Sequence, residues 1–252
     1  MILPTTRLRA ALRSLLLRAG YRVDSLRYVP RTLRDSASVL PLTFDDAVCR
    51  RMVDVGRPLT VVQIGVHDGV THDPLYRYFC DHGWTGVLVE PQPADCRVLR
   101  TLHASRPGIQ VIEAAVGATA GVSTLYTVKG EGLPAWTGGL ASFSRETILK
   151  HRDLLPGLEN HIVPVEVPVI PFEVLLSELP EGAPDVLQID TEGGDADILH
   201  LFPFERVRPA IVHWEVKHLT LTQTDACLDL LDSYGYRFAP SGGEDMLAVR
   251  SV

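Results

Sequence analysis

From residue 59 onward, apolar and polar positions fall into short blocks of two alternating textures. Residues 59–64 form a mostly apolar run that ends in Gly65, as a buried parallel strand does. Residues 86–90 and 110–116 read as the next two strands, with helices predicted over 72–82 and 93–105 between them. Residues 122–128 and 162–169 alternate with a period of two and are expected to add strands. Further buried strands are predicted over 185–190 and 210–216. Helices are predicted over 172–179, 196–202 and 224–234, the last capped by Thr222 or Thr224. Residues 236–239 and 246–250 should close the chain as an antiparallel pair. The stretch 133–160 is the least regular. Strands that alternate with helices predict an α/β fold built on a mostly parallel, doubly wound sheet.

Residues 1–58 have a different texture. Over residues 7–19, a helical period places Leu8, Ala11, Leu12, Leu15, Leu16 and Ala19 on one stripe, bordered by Arg7, Arg9, Arg13 and Arg18. Such a helix suits either an anionic membrane surface or docking on its own domain. The expected organisation is a basic, mainly helical extension over 1–58 and one domain over 59–252.

Composition and charge narrow the classes. With 252 residues, 46% hydrophobic and 22% charged, the chain can bury a full core, which excludes disorder and disulfide-stapled miniproteins. The net charge of −7 is uneven: residues 1–34 carry eight arginines against Asp24, leaving 16 basic and 30 acidic side chains beyond them. An acidic body should not bind nucleic acid, whose phosphates need clustered cations. Any weak membrane-surface contact belongs to residues 1–34. Cys49, Cys80, Cys96 and Cys227 show no paired spacing and are expected to pack as small buried hydrophobes. Neither they nor His67, His72, His82, His103, His151, His161 and His200 make a short metal-ligand motif, so no metal is expected. No run of about 18 apolar residues exists and no secretory leader pattern precedes the domain, which predicts a cytoplasmic protein.

In open α/β sheets, ligands bind beyond the carboxyl ends of the strands. After the first strand comes Gln63-Ile64-Gly65-Val66-His67-Asp68-Gly69, whose glycines permit a tight turn under a ligand. After the second comes Glu90-Pro91, a carboxylate placed to accept both hydroxyls of a ribose. The pair indicates a nucleoside cofactor. The dinucleotide pattern G-x-G-x-x-G is absent, and Asp68 would repel a pyrophosphate. A cationic or zwitterionic nucleoside fits better, with S-adenosylmethionine the leading candidate. The fourth strand ends Asp190-Thr191-Glu192-Gly193-Gly194-Asp195, and clustered carboxylates are costly without partners. Asp190 and Glu192 are read as functional and Asp195 as a helix cap. In His213-Trp214-Glu215-Val216-Lys217-His218, alternation puts His213 and Glu215 on one face. His213 is read as a core residue and His218 as a substrate-facing one.

The strings QIGVHDG, HDPLYRYF, GWTGVLVEPQP, AAVG, GGLASFS, QIDTEGGDADIL and HWEV, in this order, resemble the FkbM-type S-adenosylmethionine-dependent methyltransferases. The resemblance spans residues 61 to 250. It implies a class I methyltransferase (Rossmann-like) fold, a seven-stranded sheet whose last strand is antiparallel. It also implies methyl transfer, commonly to hydroxyls of sugars or polyketide-type natural products. The methionine moiety would lie against the turn Gly65, His67, Asp68 and Gly69 with Gln63 behind it. Glu90 and Pro91 would flank the ribose, and Glu113, Ala114 and Ala115 the adenine edge. Asp190 borders the same cofactor, and Asp190, Glu192 and His218 are the candidate bases. Gln63 stands where the family is often acidic, and Asp195 replaces a glutamate. Residues 130–144, with Trp136 and Phe143, are read as part of a substrate lid or as ordinary packing. The acceptor is expected to be a small molecule, sugar or glycan, methylated on oxygen. The competing readings are an N-methyltransferase, a non-catalytic cofactor-binding or docking module, and a nicotinamide-dependent oxidoreductase, the last disfavoured by the missing third glycine.

Overall fold

The computed structural model describes residues 42–179 and 182–250; the amphipathic stretch 7–19 and the arginine-rich segment lie outside the described residues. Eleven strands are described. In chain order they are β1 (Thr60–Ile64), β2 (Thr85–Val89), β3 (Ile109–Ile112), β4 (Ala115–Val116), β5 (Gly121–Val128) and β6 (Ala141–Ser142). They continue with β7 (Ile162–Ile170), β8 (Val186–Ile189), β9 (Ile211–Glu215), β10 (Tyr236–Ser241) and β11 (Asp245–Arg250). The main sheet runs β10-β11-β9-β8-β1-β2-β3. Its central pairs are parallel, and β11 lies antiparallel to both β9 and β10. A second sheet, β4-β7-β5-β6, stands at its edge.

Alternate residues of the central strands feed two cores, as a sheet covered on both faces requires. Val62, Ile64, Leu187, Ile189, Val212 and Trp214 pack on one face, and Val61, Leu88, Val186, Ile211 and Leu247 on the other. The first face is covered by α5 (Phe172–Ser177), α6 (Asp195–Leu201) and α7 (Leu221–Ser233), through residues such as Leu175, Leu199 and Leu228. The second is covered by α1 (Phe44–Val55), α2 (Tyr76–Asp81) and α3 (Pro93–Leu102), through Val48, Phe79 and Leu99. The short helix α4 (Arg145–Leu149) follows β6. Of the four cysteines, Cys96 and Cys227 are buried as expected, whereas Cys49 and Cys80 are exposed.

Three local expectations change. The apolar run 110–116 is not one strand. The chain leaves β3, which pairs with β2, and re-enters as β4, which pairs with β7 in the other sheet. Between them Glu113 is drawn outward by Arg100, 2.9 Å away. Helix α2 is shorter than predicted, because His72 takes a left-handed φ of 60° and the Asp73 carboxylate closes a turn onto Leu75 N at 2.7 Å. The cap of α7 is Thr220, four residues upstream of Thr224, in a reciprocal box with Gln223. Thr224 Oγ instead donates back to the Thr220 carbonyl at 3.1 Å.

Helix α1 falls inside the segment read as a mainly helical extension, where no helix was placed at these positions. Its start is fixed by a capping box between Thr43 and Asp46, and it buries Phe44, Ala47 and Val48. Arg51 and Arg57 then anchor it to Asp185, which precedes β8, at 2.6 and 2.7 Å. Asp185 also accepts from Thr60 N at 3.0 Å. Burial pushes its pKa up, but Thr60 N, Arg51 and Arg57 together bring it below the ordinary carboxylate value. Its stabilisation is therefore present above the unfolded-state pKa and is lost as pH falls through the lower folded one. Removing Asp185 strands a half-buried pair of guanidiniums. Discounted for their exposure, Asp185→Ala should cost about 2 kcal/mol at pH 7 in urea unfolding. The gap between variant and parent should shrink below about pH 4; a gap that is constant with pH would rule out the ionic origin.

Candidate active site

A cleft of 1280 Å³ opens at the carboxyl ends of β1, β2, β8 and β9, with β5 and residues around Trp136 and Phe143 along its far wall. This is where a doubly wound sheet places ligands.

On the β1–β2 side, the turn after Ile64 runs directly under the end of β8. Gly65 has φ +77°, and a Cβ built there would lie 1.7 Å from the Asp190 carbonyl oxygen. His67 holds a left-handed φ of 53°, uncommon for a residue with a side chain. The carboxylate that secures this turn is Glu90. It accepts from Val66 N at 3.2 Å and His67 N at 2.9 Å with one oxygen, and from Gln92 N at 2.9 Å with the other. Burial pushes the Glu90 pKa up in spite of these bonds. His67 Nδ1 lies 3.2 Å from Asp95, whose hydrogen bond raises the imidazole pKa. Gly69 packs under Leu99.

Gln63, Pro91, Ala114 and Ala115 line the cleft together with Gly65, His67 and Glu90. Asp68 lines it as well, but its carboxylate is spent on its own loop, accepting from Val70 N, Thr71 N and Thr71 Oγ at 2.9, 2.7 and 2.6 Å. Glu113 is not among the lining residues; its ion pair with Arg100 holds it on the outside. Gln63 donates to Asp73 at 3.2 Å, and burial lifts the Asp73 pKa to about 6.

On the β8–β9 side, the end of β8 carries a strained turn. Glu192 has φ 52° and Gly193 φ 106°. Asp195, fully buried, holds this turn by accepting from Thr191 N, Thr191 Oγ and Gly193 N at 3.2, 3.2 and 3.1 Å. It was expected to cap α6. Instead it occupies the first helical position behind Gly194 and bonds the preceding turn. Ser142 Oγ adds a bond to the Glu192 carbonyl at 3.0 Å.

The strain aims Glu192 across to the end of β9, where its Oε2 meets His218 Nε2 at 2.9 Å. Glu215 Oε2 lies 3.9 Å from the same nitrogen. Asp190 opens onto the lumen between the two halves of the cleft. Surrounding protein, then the charges of Asp195 and Glu192, push its pKa well up. Glu215 is pushed up in the same way, by burial and by Asp190, Glu192 and Asp195. For Glu192 burial is outweighed by His218, Lys217 and His151, and its pKa falls.

His213 behaves as the core residue anticipated: Nδ1 lies 2.7 Å from Gln188 and Nε2 2.9 Å from Ser241, and burial lowers its pKa to about 4. Glu215 and Asp245 line the cleft without having been singled out as site residues. For Glu215 the signal lies in the pairing of β9 with β8, which sets this strand-end carboxylate beside Asp190.

The acidic floor has a thermodynamic consequence. Burial raises Asp195 to about 6 and Asp245 to about 7. A carboxyl with a raised folded pKa favours the fold at low pH, and that contribution is lost as pH rises through the folded value. Asp245→Asn should therefore lose less stability than the parent between pH 5 and 8 in parallel thermal melts. Equal losses would show that Asp245 does not titrate in that window.

A seven-stranded sheet with its last strand reversed, and a glycine turn and an acid at the ends of its first two strands, define a class I methyltransferase. The chain matches the model of the methyltransferase FkbM domain over residues 63–238 and belongs to that family. Its methyl donor is S-adenosylmethionine. Gly65 and Glu90 line the cleft at the ends of β1 and β2, where a nucleoside donor has room to lie. Among solved structures, the methyltransferase FkbM from Methylobacillus flagellatus KT is 14% identical with a TM-score of 0.44. That match covers 76% of this chain and 43% of the other, so this chain spans less than half of its length. Precorrin-6y C5,15-methyltransferase from Geobacter metallireducens GS-15 is 13% identical with a TM-score of 0.38, over 86% of this chain and 95% of that one. No curated protein matches the chain. Among the described residues no helix is long and apolar enough to cross a membrane.

Proposed function

We propose that the protein methylates a hydroxyl of a small acceptor, such as a sugar, a glycan or a natural product. S-adenosylmethionine supplies an electrophilic methyl group on a sulfonium. The chain's residues hold the donor, exclude water and take the acceptor's proton. Gln63, Gly65, His67, Asp68 and Gly69 bound the methionine end, Glu90 and Pro91 the ribose, and Ala114 and Ala115 the base; Glu113 contributes backbone at most.

The observation that carries the reading is the convergence of Asp190, Glu192 and Glu215 on the cleft beside the Gly65 turn, with His218, which is not among the lining residues, behind Glu192 at 2.9 Å. A neutral amine can attack a sulfonium unaided, whereas a hydroxyl gains from a base in hydrogen-bond reach. Asp190, on the lumen, is the first candidate for that base, with Glu192 and His218 beside it. The negative floor also disfavours anionic acceptors and nucleic acid.

Calorimetric titration with S-adenosylhomocysteine should give saturable binding in the micromolar range or tighter, with no response to NAD. Labelled donor incubated with hydroxylated acceptors should yield an ether-linked methyl group by mass spectrometry. Label found only on nitrogen would replace this reading with the N-methyltransferase one. Failure to bind S-adenosylhomocysteine would remove methyl transfer altogether.

A further inference from the structure

We propose that Glu192, Glu215 and His218 form a divalent-cation site at the acceptor end of the cleft. One ligand atom from each lies within 4.8 Å of the others: a carboxylate oxygen from Glu192 and Glu215, and a ring nitrogen from His218. The independent observation is Glu215 Oε2, buried and without a hydrogen bond, beside Glu192 Oε2 and His218 Nε2, which have only their 2.9 Å contact with each other. Glu215 is only 6% exposed and the His218 side chain 5%. Buried polar atoms are nearly always satisfied, and leaving the Glu215 oxygen orphaned beside a second carboxylate is expensive unless something binds there.

The neighbouring cation does not fill the role. Lys217 Nζ is drawn to Glu244 at 3.3 Å, on the rim. The local backbone is built to hold the arrangement. Glu192 is kept at its left-handed φ by the turn that Asp195 ties down, and Gly193 admits His218, whose Cβ would lie 3.5 Å from an added one. Strain of this kind persists where the surroundings over-determine it.

Two carboxylates and one imidazole suit a first-row divalent ion, with Mn²⁺ tolerating the hard oxygen donors and the nitrogen alike. Ligand atoms about 2.1 Å from such an ion sit about 3 Å apart when cis. Glu192 and His218 already have this spacing, and Glu215 needs a shift of about 1 Å, within the reach of a side-chain torsion. Three protein ligands leave open positions for acceptor oxygens, as catalytic metal sites do.

The use of the ion rests on the methyl-transfer reading, although the site does not. With that reading, the acceptor class narrows to molecules that offer two adjacent oxygens for chelation. The hydroxyl's proton would pass to Asp190 as the O–CH₃ bond forms and the S–CH₃ bond breaks, with S-adenosylhomocysteine as the leaving group.

The test uses the full chain, stripped of metal by chelator and titrated with MnCl₂ by calorimetry and electron paramagnetic resonance. One Mn²⁺ per chain is expected. Glu215→Gln, nearly isosteric, should weaken binding at least ~10-fold, since even outer-shell changes cost that much. His218→Ala should do the same, with circular dichroism checking that each variant folds. Absence of saturable binding of Mn²⁺, Zn²⁺ and Mg²⁺ overturns the proposal, and so does unchanged Mn²⁺ affinity in Glu215→Gln. S-adenosylhomocysteine titrated in parallel separates the two claims. Its binding without metal binding removes the cation site alone; metal binding without it removes methyl transfer and leaves the site standing.

Discussion

Gly65→Ala should abolish binding of S-adenosylhomocysteine and lower stability by roughly 3 kcal/mol or more, from the left-handed backbone cost and the forced separation of packed strands. The added methyl would lie 1.7 Å from the Asp190 carbonyl oxygen, a backbone atom that no rotamer change can move. Relief requires β1 and β8 to part where Asp190 N bonds Ile64 O at 2.9 Å, and it pulls on the 2.9 Å bond from Gly65 N to Val89 O of β2. The same movement displaces the Val66 and His67 amides from Glu90, so the donor's cradle opens with the sheet. Gly83→Ala is the internal control. Gly83 also has a positive φ, +63°, but nothing lies within 4 Å of its added Cβ. It should cost only ~1 kcal/mol and leave binding intact. Thermal melts and calorimetry on the pair separate the steric effect from the conformational one. A Gly65→Ala protein that binds with parental affinity would show that the turn does not form the donor site.

How far the sequence was legible follows the range of the interactions. The central strands were visible because both faces are buried, so 59–64, 86–90, 185–190 and 210–216 read as nearly unbroken apolar runs. The ends of the first two strands were visible because a glycine turn and an acid are local signals. The break at Glu113 was not. Nothing in an apolar run announces a change of sheet partner, and Glu113 is turned out by an arginine 13 residues upstream. Helix α1 was not placed, although Phe44, Ala47, Val48, Met52 and Val55 recur at helical spacing and pack on the core; its polar anchors, 128 and 134 residues away at Asp185, have no local signal. Glu215 and Asp245 were overlooked for a related reason. Each is an ordinary strand-end residue until β9 and β11 are aligned beside β8. Glu192 was singled out, but its left-handed backbone, which decides where the carboxylate points, has no signature in its own residue type.

That alignment makes the second large prediction specific. Asp190→Asn should reduce kcat by 10²- to 10⁴-fold, the range for loss of a positioned base, while S-adenosylhomocysteine affinity changes little. Asparagine preserves the shape at the end of β8, and the backbone contact with Gly65 does not depend on the side chain. The pH dependence carries a sign. The protein surrounding the cleft, Asp195 and Glu192 push the Asp190 pKa up, so the proton-accepting form accumulates as pH rises. Parental kcat should climb through that raised pKa, and Asp190→Asn should lose the climb. Glu192→Gln distinguishes base from ligand. If Glu192 helps hold a cation, its kcat loss should be partly restored by excess Mn²⁺, because weakened affinity is overcome by mass action. No concentration of Mn²⁺ should restore Asp190→Asn, because an amide cannot accept the proton. Restoration in both variants would move the base away from Asp190, and unchanged turnover in both would remove this strand end from the chemistry.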